Sequence, residues 1–122
     1  MTSRNTLHLD NAVLVVIPRG FDKLWGFRTQ ITVPLDSIVD VRVELQPKTI
    51  RTGLRYPGLS AFGKRSGTFH PGREKHYWNY SGRGEALAIS IAPGHDFHRL
   101  YLSVENAESS RTELMNAVSA RQ

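Results

Sequence analysis

Residues 24–45, LWGFRTQITVPLDSIVDVRVEL, decide the fold class. In the first half Trp25, Phe27, Thr29, Ile31 and Val33 share one face of an extended chain, and Gly26, Arg28 and Gln30 share the other. In the second half Val39, Val41, Val43 and Leu45 point one way, while Asp40, Arg42 and Glu44 point the other. Side chains of a strand alternate with period two, so each half reads as an antiparallel strand with one face in the core and one in water. Pro34 to Asp36 makes the tight link between them.

The same pattern extends in both directions. Upstream, TLHL and AVLVVI flank Asp10-Asn11, a turn pair that tolerates left-handed backbone, and Arg19 to Lys23 leads into the Trp25 strand. Downstream, GTFH, HYWNY, ALAISIA and HRLYLSV are separated by Pro71-Gly72-Arg73, Ser81 to Gly84 and Pro93-Gly94. Short strands spaced by turn chemistry predict a mainly β domain of about seven strands spanning roughly residues 6–104, a barrel or a sandwich.

The period changes near the end. In NAESSRTELMNAVSAR, Leu114, Met115 and Val118 recur at helical spacing, with Arg111 and Arg121 outside that stripe. Asn106 suits the N-cap, and Glu108 in the first turn complements the helix dipole. One helix over roughly residues 107–120 is expected to lie across the barrel.

At 122 residues the chain is of single-domain size, residues 1–122 throughout. It has no cysteine, which excludes disulfides, thiolate metal sites and cysteine nucleophiles. The start, MTSRNTLHLDN, lacks the apolar core of a signal peptide, and the run Ala12–Ile17 is too short to cross a bilayer. The expected setting is cytoplasmic, with any membrane contact peripheral, at the inner face.

The formal charge is +5. Between residues 46 and 75 stand Lys48, Arg51, Arg55, Lys64, Arg65, Arg73 and Lys75 against the single acid Glu74, a balance of 7 − 1 = +6. Residues 46–65 fit no simple meander and read as a loop of about twenty residues, a length that usually signals function, disorder or an unrecognised element. Up-and-down geometry sets Arg19 and Lys23 at the same end of the barrel as this loop.

The words DKLWGF, ITVPLDSIVDVRV, GLRYPG and GTFHPGREKHYWNY, in that order, resemble the small bacterial PH-like (pleckstrin-homology-type) proteins common in actinobacteria. The matching positions are Leu24-Trp25, Val33-Pro34-Leu35, Ile38, Gly53-Leu54-Arg55, Pro57-Gly58, Gly67-Thr68-Phe69 and Tyr77-Trp78, and the resemblance covers about residues 6–118. It implies a PH-like bent antiparallel barrel plugged at one end by the C-terminal helix. It implies binding rather than a reaction.

Several local motifs have to be weighed against that expectation. Gly58, Gly63 and Lys64 stand at P-loop spacing, but Arg65 replaces the magnesium-binding Ser or Thr, and a strand and turn follow in place of a helix. Ser60 follows Gly58, yet Phe62 stands where a nucleophile elbow needs its second glycine. His95 and His98 are spaced so as to face roughly opposite ways, and no third ligand joins them, so no metal is expected. His70 and His76 flank the Pro71-Gly72 turn and could face each other across a hairpin. Trp25, Phe27, Phe69, Tyr77 and Trp78 could form a stacking platform, but on strands of this pattern they read as core. If Trp78 faces inward, so does Tyr80. For a phosphoinositide pocket Lys23 and Arg28 are in place, but Gln30 occupies the position where an arginine is wanted.

The expected function is that of a non-catalytic binding module with no cofactor. Its contact surface is expected to be Arg51, Arg55, Tyr56, Lys64 and Arg65, joined by Arg19 and Lys23. A protein partner is the first expectation and an anionic membrane surface the alternative. Nucleic acid rests on charge alone, and an enzyme has no carboxylate pair or nucleophile–base couple to support it.

Overall fold

The computed structural model describes residues 5–18, 30–47, 54–61, 64–82 and 84–120, with backbone alone for Pro18, 54–61 and 64–66. The chain runs β1 (Asn5–Asp10), β2 (Val13–Pro18), β3 (Ile31–Pro34), a 3-10 turn (Leu35–Ser37), β4 (Ile38–Glu44), β5 (Leu54–Ala61), β6 (Lys64–His70), β7 (His76–Tyr80), β8 (Ala86–Ile91), β9 (Arg99–Leu102) and α1 (Ala107–Ser119). It is a mainly β fold with one C-terminal helix.

The strands divide between two sheets, and no closed barrel forms among the described residues. One sheet is the antiparallel meander β1-β2-β3; the other has the order β4-β8-β9-β7-β6-β5. Strand β9 lies between β8 and β7, antiparallel to the first and parallel to the second. A barrel built of consecutive hairpins has no place for that parallel pair, which explains the departure from the expected up-and-down order.

The turn chemistry acts locally as anticipated. Asn11 turns β1 into β2 at φ 51°, the left-handed region that Asn reaches most easily after glycine. Asn106 caps α1, its side chain accepting from the Ser109 N–H at 3.0 Å.

Two apolar cores result, one on each face of the large sheet. The first joins the small sheet (Leu14, Val16, Ile31, Val33) to Val41, Tyr77, Ile89 and Leu100, with Leu114 and Val118 of α1 packed in. The second holds Phe69, Trp78, Tyr80, Ala86, Ala88 and Tyr101. Alternation along HYWNY sends Tyr77 to the first core and Trp78 with Tyr80 to the second, so every residue of β7 is buried. Phe69, Tyr77 and Trp78 are core, as their strand positions suggested.

The alternation in SIVDVRVEL holds for Val41, which is buried, and fails at its ends. Val39 is 64% and Leu45 70% exposed. The register against β8 slips between Ile38 and Asp40, so Val39 is an extra residue at a β-bulge and leaves the core face. Leu45 lies beyond the end of β4. Asp40, Arg42 and Glu44 share the outer face, with Arg42 3.4 Å from each carboxylate.

A buried polar clamp holds the small sheet to the large one. Asn5 at the start of β1 donates through Nδ2 to the carbonyls of Asn79 (3.0 Å) and Ser103 (2.9 Å), and Asn79 Nδ2 donates back to Asn5 Oδ1 at 2.9 Å. Ser103 Oγ then accepts the Ser81 N–H at 2.7 Å. Each buried backbone group so bonded avoids the cost of lying unsatisfied away from water.

Candidate functional site

Residues 46–65 are not a structureless loop. Residues 54–61 form β5, which pairs antiparallel with β6, so the basic segment is largely a hairpin. Lys64 and Arg65 open β6 rather than closing a loop. The pattern LRYPGLSA hid the strand because Pro57 and Gly58 break its alternation, and the register slips between Arg55 and Gly58.

The hairpin separates the expected contact residues into two groups. Arg55 pairs with Phe69, whereas Arg65 pairs with Ser60 and Lys64 with Ala61. Four residues separate positions 65 and 69 on β6, about 14 Å along the strand. Tyr56 follows Arg55 in the slipped part of the register. Arg19, Lys23 and Arg51 lie outside the described residues, as do Trp25, Phe27 and Arg28.

The middle of the hairpin accommodates the second core. Gly58 pairs with Gly67, and Gly67 pairs with Trp78 on the other side. Gly67 holds φ 123°, which side chains rarely adopt. Beside this side-chain-free pair the Trp78 ring stacks on Tyr101 (centroids 4.2 Å, planes 18° apart) and meets Phe69 and Tyr80 edge-on. The glycines of GLRYPG and SGTF thus serve packing and backbone geometry rather than phosphate binding.

At the Arg55 end, a row of paired positions crosses the sheet from Arg55 through Phe69, His76, Arg99 and Ser90 to Asp40. Paired residues share a face, so this row sets the buried His76 beside Arg99. Two turns meet beside it. The Lys75 N–H donates to His98 Nδ1 at 2.9 Å, and the His98 N–H donates to the Lys75 carbonyl at 2.8 Å. This reciprocal clasp gives His98 a structural role, while His95 is exposed. Lys75 Nζ stands 5.1 Å over the Phe97 ring, and Arg73 is exposed at the turn.

His70 and His76 do not face each other, since His70 pairs with Leu54 and His76 with Phe69. His76 instead bonds Glu74 Oε1 through Nε2 at 2.7 Å, and its ring leans on Tyr101 at 5.6 Å. Burial pulls its pKa below the ordinary histidine value, with the Glu74 bond opposing. The same bond holds the Glu74 carboxyl below its usual range. Arg99 Nη1 donates to the Tyr101 hydroxyl at 3.2 Å, which raises the guanidinium pKa further.

Such an arrangement can receive anionic groups along a strand edge and a turn. Among the described side chains it offers no nucleophile with a base at hydrogen-bond distance. Among the described residues no three His, Asp or Glu side chains are grouped for a metal, and no helix is long and apolar enough to cross a membrane. A cleft of about 410 Å³, lined by Ser81, Glu85, Ser103, Glu105 and Asn106, lies at the opposite end of β7 from the cationic row. Its acidic lining does not suit an anion.

The sequence alone does not bring Glu74, His76 and Arg99 together. Glu74 and His76 are two apart, a spacing that suits one strand face, and that signal was available. Arg99 joins them only through the parallel β7–β9 pairing. No family model, no curated protein and no solved structure matches the chain.

Proposed function

We propose that this chain is a non-catalytic binding module of pleckstrin-homology-like type, and that the basic β5–β6 hairpin takes an acidic, extended segment of a protein partner. The observation that carries the proposal is the placement of β5. It is the last strand of the large sheet, with β6 as its one strand neighbour among the described residues. An outer strand presents backbone donors and acceptors that an added strand can pair, and side chains beside it choose the sequence.

The charge balance supports an acidic partner. Residues 46–75 carry a formal excess of +6, and their one acid, Glu74, is engaged by His76. Arg55 lies on β5 itself, and Lys64 and Arg65 on its hairpin partner. Charges of this kind steer association and select partners more than they add affinity.

The test is a pull-down from native lysate with the wild-type chain and with Arg51, Arg55, Lys64 and Arg65 all changed to Glu. A partner with an acidic segment, retained by the wild type and lost by the reversed chain, supports the proposal. Equal retention by both, or no capture, refutes it. Co-sedimentation with phosphatidylserine vesicles that weakens with salt and vanishes on charge reversal would transfer the same surface to the anionic-lipid alternative.

A further inference from the structure

We propose that β4 is a self-association edge, along which two copies of this chain join their large sheets antiparallel in the register centred on Val43. Strand β4 ends the large sheet opposite β5, and β8 is its one strand neighbour among the described residues. Val39 at 64% and Leu45 at 70% are the exposed large apolar side chains among the described residues, and they flank this edge at its two ends. Helix α1 packs on the core side of β4 through Leu114 and Val118, and both flanking side chains remain in water.

Natural sheet edges are blocked against such pairing by lysine, proline, bulges or inward charges. On β4 the bulge at Val39 does this for the first residues only. From Asp40 to Glu44 the strand is regular, and the stretch DVRVEL holds neither proline nor lysine.

The charges on the outer face choose the occupant and the register. Asp40, Arg42 and Glu44 alternate in sign along one face. An antiparallel pair centred on Val43 sets Arg42 opposite Glu44 of the partner subunit twice, once from each copy. It also sets Val41 opposite the partner's Leu45, covering an exposed leucine, and Val43 opposite the partner's Val43. Centring on Arg42 would oppose Arg42 to itself and, twice, Asp40 to the partner's Glu44, three like-charge contacts. Centring on Val41 would draw the bulge into the ladder. The sequence is therefore complementary to itself in one register. Arg42 is half exposed, so its ion pairs choose the register, while backbone pairing and cover of the apolar side chains supply the association. The contact leaves β5 free, and so stands apart from the hairpin proposal.

Sedimentation equilibrium of the full chain, at concentrations rising to about 1 mM, reads the outcome directly. The wild type is expected to shift from one copy to two. Arg42→Glu, at a half-exposed position, opposes glutamates across the edge and is expected to weaken association at least about tenfold. The charge swap Arg42→Glu with Glu44→Arg restores the pairs of the Val43 register, and with them the dimer. In a register centred on Val41 the same swap would leave Asp40 against Glu and stay monomeric. Far-ultraviolet circular dichroism checks that each variant is folded, and Leu45→Lys gives a second, independent disruption. A wild type monomeric throughout, a dimer untouched by Arg42→Glu, or a charge swap that fails to restore it overturns the proposal.

Discussion

Truncating Asn5 to alanine should destabilise the domain far more than its place near the start of the described chain suggests. Asn5 Nδ2 serves the carbonyls of Asn79 and Ser103, and Asn5 Oδ1 receives the Asn79 amide, all inside the protein. The Asn79 carbonyl keeps a second bond, from the Ser103 N–H at 3.1 Å. The Ser103 carbonyl and the Asn79 amide each lose their Asn5 partner. A buried group deprived of its hydrogen bond costs about 1–3 kcal/mol, so the expected loss is about 2–4 kcal/mol. Against a total of roughly 5–15 kcal/mol for a domain of this kind, that is a large fraction. Urea denaturation followed by tryptophan fluorescence should show a midpoint lowered by about 1–2 M with an unchanged slope. The companion Asn79→Ala and the double variant complete a cycle, in which a coupling of about 1 kcal/mol or more is expected. Additive effects, or a midpoint shift for Asn5→Ala below about 0.3 M, would show that the clamp does not hold the sheets together.

Two further outcomes follow from the same coordinates. Because burial keeps the folded-state pKa of His76 below its ordinary 6.5, the unfolded chain binds more protons near that pH; stability should be full above pH 6.5 and fall as pH drops through it, with a further loss below the ordinary carboxylate value of 4.5 as Glu74 protonates. Denaturant midpoints between pH 8 and pH 4 should show this, and His76→Leu should remove the first phase. Asn106→Ala removes the α1 cap to the Ser109 N–H and should cost about 1 kcal/mol in the same denaturation assay.

The candidate site was legible only in part. The cationic excess of residues 46–75 is plain in the sequence, and Glu74 and His76 stand at strand spacing. Strand β5 was not legible, because Pro57, Gly58 and the slipped register erase the alternation that marks a strand. The grouping of Arg99 with His76, and the distance between Arg55 and Arg65, depend on which strands pair and in what register.

By itself, then, the sequence determined whatever rests on contacts a few residues apart. The strand alternation around Val33 and Val41, the left-handed turn at Asn11 and the capped helix after Asn106 are all of this kind. Tertiary structure alone decided the division into two sheets, the parallel pairing of β7 with β9, the burial of β7 on both faces and the exposure of Val39 and Leu45. Periodicity shows which residues share a face of their own strand. It does not show which strand lies alongside or what covers that face, because those depend on contacts such as Asn5 to Ser103, 98 residues apart.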